Sequence, residues 1–329
     1  MKNAVALDMG SSNTYIYKTG MGIVLEQPSA VALSREKGKI KALGEDAKKL
    51  YGMAVEDTEV TFPVFEGFID NVPLARQMLK GYFDKIQYFH EDVVMSVPCG
   101  TDSDKIMSLD KFLRSLGVYN VAFVESPILT AYGMNIMADS DCPRFIINLG
   151  GGTTNISAVS PSGVITGVSI NLGGQNVDSM LASFIENNFK LKIGMLTAEK
   201  LKIQLGSMYT NDELRYVVNG RDVITGRPRP LSVEAKDVYQ PLKRFYDLII
   251  NVAEKIMAKL PPEALGEINR TGIFLSGGMS KIVGLQEYFE QKLDVKTVID
   301  DNPEYSNVSG AGYLCTDRKL LNRLKLNRD

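Results

Sequence analysis

Tryptophan is absent from this chain of 329 residues, and only one histidine and three cysteines occur. The cysteines, Cys99, Cys142 and Cys315, are odd in number and lack the spacing of a metal site, so we expect reduced thiols in a cytoplasmic protein. No apolar run approaches the roughly 20 residues that a membrane-spanning helix needs. Met1 lies directly before the first apolar segment, so we expect no signal peptide.

An excess of charge of either sign is also missing. The 37 Lys and Arg and the 39 Asp and Glu residues give a formal net charge of −2, which provides no general attraction to nucleic acid or to an anionic membrane. Hydrophobic residues make up 44% of the chain and charged residues 23%, as in ordinary globular proteins. The length allows two domains. We therefore expect a compact protein that does not bind nucleic acid.

What the chain does contain is a glycine-tipped hairpin near its middle. The apolar run Phe145–Ile147 predicts a buried strand, Gly150–Gly152 follow, and residues 156–159 predict a second strand. No helix opens after these glycines, which excludes the P-loop and the dinucleotide fingerprint. Glycines let successive amides converge on an anion, although one such hairpin alone is more often a simple tight turn.

A second copy of the pattern favours the anion-binding interpretation. The stretch Val5–Tyr17 reads VALDMGSSNTYIY, again a strand, a glycine turn and a strand. Aligning Asp8 with Asn148 places Gly10 on Gly150 at a constant offset. Matched turns in the two halves indicate a duplicated fold that holds one nucleotide between them.

Strands and helices alternate along both halves, which predicts a mixed sheet with helical cover in each. One helix is expected to be capped by Ser103 or Asp104. The stretches Lys37–Lys49 and Asn211–Arg229 are more polar, the second turn-rich, and are candidates for two small subdomains. After the apolar run Ile273–Leu275, a glycine turn precedes a helix, so its amides are suited to face a nucleotide.

Four motifs occur in fixed order: LDMGSSNTYIY, INLGGGTTNISAV, TAEKLKIQLG and GIFLSGGMSKIVGL. Together they resemble the actin/Hsp70/sugar-kinase ATPase superfamily, and within it the chain is most similar to the MreB/Mbl family of bacterial actin homologues. Further similarity is carried by GIVLEQPSAVAL, VESPILTAYG, NGRDVITGRPRPL and LPPEALGEINRTGIFLSGG. A filament-forming relative that organises magnetic organelles shares the general pattern.

The resemblance implies an α/β, actin-like ATPase fold. It implies two duplicated RNase H-like domains, each with a small inserted subdomain, and a nucleotide in the cleft between them. The corresponding division of this chain is residues 1–141, with a small subdomain at about 32–70, and residues 142–329, with a small subdomain at about 186–240.

The resemblance also implies a site for ATP or ADP with Mg²⁺. Asp8 would hold the Mg²⁺, through water, because this ion keeps several of its waters. Phosphate contacts would come from both glycine turns, and ribose and adenine contacts from a helix and a second glycine turn. The implied nucleotide-binding residues are Gly10, Ser11, Ser12, Asn13, Gly150, Gly151, Gly152, Thr153, Glu199, Lys200, Leu201, Lys202, Gly277, Gly278, Met279 and Ser280.

Two positions depart from the family pattern where it has acidic residues that orient the attacking water and help hold the metal. These positions carry Ser126 and Asn148, neither of which replaces a carboxylate well in either role. Glu125 is adjacent but projects in another direction, so it is a weak substitute. We therefore expect a site that binds ATP and hydrolyses it slowly.

The resemblance implies filaments made of copies of this chain, with a role in cell shape and contacts to other cytoskeletal or cell-wall-synthesis proteins. Tyr88 and Phe89 align with a loop by which some family members touch the inner face of the cell membrane; packing on a neighbouring helix is the alternative. The basic, leucine-containing segment Arg318–Arg328 either lies on an anionic surface or closes the fold with its leucines in the core.

Three other functions remain open from the sequence. A soluble acyl or sugar kinase of the same superfamily would need a substrate pocket with a catalytic base, and no spare acidic motif stands out. A chaperone ATPase would need a substrate-binding domain after the ATPase. A filament former of a specialised organelle fits the same motifs.

Overall fold

The computed structural model describes residues 4–53, 55–137 and 142–326. Its strands, in chain order, are β1 Ala4–Met9, β2 Asn13–Lys18, β3 Gly22–Pro28, β4 Val31–Leu33, β5 Ile40–Leu43, β6 Glu59–Thr61, β7 Val64–Phe65, β8 Phe68–Ile69, β9 Asp92–Val97, β10 Val121–Glu125, β11 Arg144–Leu149, β12 Thr154–Ser160, β13 Gly163–Ile170, β14 Leu191–Lys192, β15 Arg215–Asp222, β16 Pro228–Glu234, β17 Ile273–Ser276 and β18 Thr297–Ile299. Its helices are α1 Glu45–Leu50, α2 Val72–Lys85, α3 Ser103–Arg114, α4 Ser126–Gly133, α5 Gly174–Phe189, α6 Met195–Leu205, α7 Ala235–Met257, α8 Pro262–Thr271, α9 Leu285–Leu293, α10 Ser306–Thr316 and α11 Arg318–Leu324, with a 3₁₀ turn at Gly278–Lys281.

Two five-stranded sheets repeat one topology. The first has the order β10-β9-β1-β2-β3 and the second the order β18-β17-β11-β12-β13. In each sheet the central strand pairs in parallel with the strand on one side and antiparallel with the next strand in the chain. The duplicated α/β fold predicted from the sequence is therefore confirmed.

The predicted helical periodicities appear as buried faces. Helix α7 buries Leu242, Phe245 and Ile249 in the core over the second sheet, and it ends before the proline pair that opens α8. The N-cap of α3 was predicted one or two residues too late. Asp102 is the cap, because its Oδ1 accepts a hydrogen bond from the Lys105 amide at 2.8 Å.

A small three-stranded sheet accompanies each large one, with orders β5-β4-β6 and β14-β15-β16. The stretch Asn211–Arg229 is less turn-rich than predicted, because most of it lies in the long antiparallel pair β15–β16. Asn219 and Gly220, which are typical of turns, pair with Pro230 and Arg229 in this ladder. Cross-strand pairing thus overrides local turn propensity.

The end of the described chain returns to the first sheet. Helix α10 packs on β1, β9 and α4, helix α11 packs on α10, and Leu321 and Leu324 are buried in the same apolar cluster. Of the two interpretations of the C-terminal segment, the structure supports docking of its leucines on the core. The division at residue 141 stays a prediction, although α10 and α11 follow the second sheet in the chain and pack with the first.

Helices α4 and α10 cross at two glycines. A Cβ added at Gly310 would lie 1.8 Å from the Leu129 carbonyl oxygen, and one at Gly133 would lie 1.9 Å from the Ser306 oxygen. The two backbones are therefore in direct contact, which only glycine permits at these positions. This crossing lies where the chain passes between the two sheets.

Candidate nucleotide-binding site

The two predicted glycine turns have the same local structure. The Gly10 amide donates to the Asn13 carbonyl at 2.9 Å, closing the turn between β1 and β2. The Gly150 amide donates to the Thr153 carbonyl, also at 2.9 Å, closing the turn between β11 and β12. The equivalence predicted from the constant offset thus extends to the hydrogen bond that shapes each turn.

The two turns, one from each large sheet, lie directly against one another. A Cβ on Gly151 would lie 2.0 Å from Ser12 Oγ, and a Cβ on Gly152 would lie 2.4 Å from Ser11 Oγ. Gln175 adds a link, since its Nε2 donates to the Ser11 carbonyl at 3.2 Å. The residues predicted to hold phosphate from opposite sides are therefore brought together.

The carbonyl groups of each turn accept hydrogen bonds from neighbouring segments. Ser29 donates its Oγ hydrogen to the Gly10 carbonyl at 2.6 Å, and the first amides of α5, at Gly174 and Gln175, donate to the Gly150 and Gly151 carbonyls. Within the part of the chain that the structure describes, the backbone amides of residues 12, 151 and 152 have no acceptor. Such amides on a fixed turn are suited to an anion.

Asp8 ends the apolar part of β1 and lies next to the first turn. Burial raises the pKa of its carboxyl group to about 6, although hydrogen bonds from Asn307 and Ser96 oppose this shift. The carboxylate thus lies in a poorly solvated place among neutral partners, where a cation would stabilise its charge. Mg²⁺ commonly takes one or two carboxylates plus water and phosphate, so this single carboxylate fits the ion. The described residues contain no cluster of three or more His, Cys, Asp or Glu side chains suited to a metal.

Ser126 and Asn148, the two positions that depart from the family pattern, meet in one buried hydrogen-bond network. The side-chain Nδ2 of Asn148 donates to Ser126 Oγ at 3.3 Å and to Thr130 Oγ1 at 3.1 Å. Both hydroxyl groups contact the side chain of Asn307, at 2.7 to 3.0 Å. Asn307 in turn hydrogen-bonds Asp8. All members of this network other than Asp8 are neutral. The network can therefore hold side chains in position, but it contributes no catalytic base.

The candidate ribose and adenine residues on α6 have different surroundings. The Lys202 ammonium is buried, pairs with Asp178 at 2.8 Å and donates to the Gly174 carbonyl at 3.0 Å. Glu199 pairs with Lys48 of the first half at 2.9 Å. Lys200 is exposed, whereas Leu201 is buried in the core.

The candidate residues of the later glycine turn lie beside the same region. Gly277 has φ +84°, and a Cβ at this position would clash with the Leu149 carbonyl oxygen and with the Asn148 side-chain oxygen. Met279 and Lys202 both lie next to Gly174. The later glycine turn and α6 therefore both pack against the start of α5. Gly278 faces open space, and Ser280 is buried with its Oγ bonded to the Gly277 carbonyl.

A family model described as MreB/Mbl protein matches residues 2–323. The chain belongs to the MreB/Mbl family. It is similar to the cell shape-determining protein Mbl of Bacillus subtilis, with 27% identity over 98% of both chains. A crystal structure of MreB 5 of Spiroplasma citri bound to AMPPNP covers 98% of both chains, with a TM-score of 0.93 and 25% identity. A MamK double helical filament structure covers 96% of this chain and 99% of that one, with a TM-score of 0.80; at 20% identity it shows the fold alone.

In this MreB/Mbl protein, Glu125 is directed away from the network. Its Oε1 accepts a hydrogen bond from the Gly100 amide at 2.7 Å. Burial, with the charge of Glu125 adding to it, raises the pKa of the Cys99 thiol to about 12. This placement is consistent with the expectation that Glu125 is a weak substitute for the missing carboxylates.

Three residues around Asp8 and Asn148 were not predicted from the sequence: Thr130, Ser96 and Asn307. All three are small polar residues inside regular elements, and such residues are common without any function. The run SNVSGAG at the start of α10 offers one usable signal, because small residues at helical spacing indicate a close helix contact. It does not indicate that Asn307 would face Asp8.

The two loop aromatics predicted for membrane contact differ in environment. Tyr88 stacks on Phe83 with ring centroids 4.4 Å apart, and its hydroxyl donates to the Glu91 carbonyl at 2.8 Å. Phe89 is 75% exposed. Packing on the neighbouring helix thus accounts for Tyr88, and Phe89 alone is free to touch a bilayer. None of the described helices has the length and apolar character to cross a membrane.

Proposed function

We propose that this MreB/Mbl protein binds ATP with Mg²⁺ between its two glycine turns and polymerises into actin-like filaments that act in cell shape at the inner face of the cell membrane. One observation carries the proposal: the two turns have the same closing hydrogen bond and face one another at Ser12 and Gly151. The names of the relatives, a cell shape-determining protein and an AMPPNP-bound MreB, support the same function.

We infer a role for each part of the site. The amides of residues 12, 151 and 152 would bind the β- and γ-phosphates from both sides, and Asp8 would hold Mg²⁺ through water. When bound, the ion neutralises part of the phosphate charge. Asn307 and Ser96 hold the Asp8 carboxylate in place. Lys202 and Met279 support the first turn of α5, which fixes the second glycine turn.

Hydrolysis in this account is slow, because the network around Ser126 and Asn148 has no group that accepts a proton from water. Losing a base or positioning group typically costs on the order of 10² to 10⁴ in rate. The structure makes Asn148→Asp the cleaner test, since Asp has the same shape and the Ser126 and Thr130 hydroxyls can turn to donate to it. Ser126→Glu restores the second carboxylate but must fit a larger side chain in a buried place.

Phosphate release by purified protein tests this mechanism. Asn148→Asp, alone or with Ser126→Glu, is expected to raise the rate by at least about tenfold. Asn155→Asp is the matched control, because Asn155 pairs with Asn148 across the hairpin and contacts the Cys99 amide instead of the network. Rates that stay equal in all variants would contradict the assignment of the slow step to this network.

Assembly is tested by sedimentation and electron microscopy with and without ATP. We expect pelletable filaments that ATP promotes, because nucleotide held by both turns would stabilise the closed arrangement of the halves. Monomers over a wide range of concentration, salt and nucleotide would contradict the proposal and favour a soluble kinase of the superfamily. Organelle placement in the source cell would distinguish a specialised filament from a shape determinant.

Membrane contact is proposed for Phe89. Flotation with anionic lipid vesicles is expected to carry wild-type protein upward, and Phe89→Ser is expected to weaken this because an exposed aromatic side chain is lost. Met53→Ser removes an apolar side chain of similar exposure elsewhere and serves as the control. If both variants float to the same extent, Phe89 makes no specific contribution to membrane contact.

A further inference from the structure

An ion pair joins the small-sheet regions of the two halves. Lys48 lies on α1, which packs against β4 and β5, and Glu199 lies on α6, which packs against β15. Their Nζ and Oε1 atoms are 2.9 Å apart although the residues are 151 positions apart in the chain. Lys49, the next residue of α1, pairs within its own helix with Asp46 at 3.6 Å.

The pair is partly sheltered from water. The Lys48 and Glu199 side chains keep 26% and 27% of their exposure, whereas Lys49 and Asp46 keep 62% and 80%. Reduced exposure weakens screening by salt and makes the attraction stronger than that of a typical surface pair. The Lys48–Glu199 pair is therefore able to influence how the two halves sit, while the Lys49–Asp46 pair is not.

Other contacts across the cleft accompany the pair. Asn171 Nδ2 donates to Glu66 Oε2 at 2.5 Å, and Gln175 contacts the Ser11 carbonyl. Glu199 also lies three residues before Lys202 on α6, so it is on the same helix face as the lysine of the buried Asp178–Lys202 pair. The ion pair thus connects α1 to the charged groups that support the start of α5.

We propose that Lys48 is a positioning residue that closes the nucleotide cleft: by pairing with Glu199 it holds the two small-sheet regions together over the site and slows nucleotide release. The inference rests on the proposed function for the identity of the ligand, and the closure itself does not depend on it. Lys48 has no predicted contact with nucleotide, so its effect would pass through the position of Glu199 and the closure of the halves.

Nucleotide release measured by stopped-flow with a fluorescent ATP analogue tests the proposal. Lys48→Met is expected to release nucleotide about two- to fivefold faster, the range that corresponds to a pair of this exposure. Lys49→Met is the matched control and is expected to release at the wild-type rate. Raising salt from about 0.1 M to about 1 M shortens the Debye length from about 10 Å to about 3 Å, and it should move the wild-type rate only part of the way toward that of Lys48→Met, because the pair is partly sheltered from water.

Exchanging the charges of Lys48 and Glu199 distinguishes electrostatic attraction from an effect of side-chain shape. Lys48→Glu and Glu199→Lys each place like charges together and are expected to accelerate release more than Lys48→Met does. The double variant restores opposite charges and is expected to release more slowly than Glu199→Lys, which lacks the same candidate nucleotide contact. A double variant that is no slower than Glu199→Lys, or a Lys48→Met rate equal to wild type, would overturn the proposal.

Spin labels give a readout that needs no nucleotide. Glu45→Cys on α1 and Ile203→Cys on α6 are exposed sites for labels, in a Cys142→Ser background because Cys99 and Cys315 are buried. Lys48→Met is expected to lengthen or broaden the distance distribution, and Lys49→Met is not. An unchanged distribution in Lys48→Met would overturn the inference even if ATP binds, whereas absence of ATP binding in calorimetry would overturn only the proposed function.

Discussion

Replacement of Gly310 by alanine tests how closely α4 and α10 cross. The added Cβ would lie 1.8 Å from the Leu129 carbonyl oxygen and 2.9 Å from the Gly133 amide nitrogen. Both are backbone atoms, so no side-chain rotation relieves the contact and the helices must separate. Separation would also shift Asn307, one turn earlier on α10, away from Asp8 and Ser126.

The expected cost follows from two opposing effects. Overpacking of a close contact typically costs about 1–3 kcal/mol, and a backbone clash of this size belongs at the upper end or above it. In the opposite direction, alanine in place of glycine in a helix interior stabilises the folded state by about 1 kcal/mol. We therefore expect a net loss of roughly 2 kcal/mol or more in the free energy of unfolding, and a melting temperature lower by roughly 4 °C or more.

The matched control is Gly266→Ala in α8, where a Cβ would meet nothing within 4 Å. This variant undergoes the same substitution in a helix and is expected to gain about 0.5–1 kcal/mol. Scanning calorimetry of both variants and wild type, without nucleotide, provides the comparison. If Gly310→Ala melts at or above wild type, the backbone contact described for α4 and α10 is not present in solution.

Two further predictions concern Asp8 and the C-terminal helix. Because the Asp8 carboxyl has a pKa of about 6 when folded and 3.8 as its ordinary value, wild type should lose stability as pH rises from about 4 through 6. Asp8→Asn should flatten this part of the melting-temperature profile and gain on the order of 3 kcal/mol at pH 7. Melting-temperature profiles of wild type and Asp8→Asn that run parallel would contradict the burial of Asp8. Leu324→Ala, at a position with 4% exposure, should cost roughly 2–4 kcal/mol, with Lys325→Ala as the neutral control. An unchanged melting temperature together with lost vesicle binding would place Leu324 on a membrane instead of in the core.

The glycine turns could be found from the sequence because they depend on local patterns. A β-rich strand, a short glycine turn and a second strand make a hairpin with few alternatives, and the spacing of the two copies shows the duplication. The same holds for α7, whose apolar residues recur at helical spacing. In each case the information lies within about 20 consecutive residues.

The network around Asp8 could not be found in this way. Asn307 and Ser126 are 181 positions apart, and their contact depends on α10 returning to the first sheet and crossing α4 at two glycines. Helix spacing correctly places Glu199 and Lys202 on adjacent turns. It does not reveal that Lys48 pairs with one and Asp178 with the other, because those partners come from distant elements.

Calorimetric titration of wild-type protein with ATP, ADP and AMP, each with Mg²⁺, tests the central claim most directly. If the paired turns bind the β- and γ-phosphates, ATP and ADP should bind measurably and AMP, which lacks both phosphates, should bind far more weakly or not at all. Equal affinities for the three nucleotides, or no heat from any of them, would contradict a site built on these two turns.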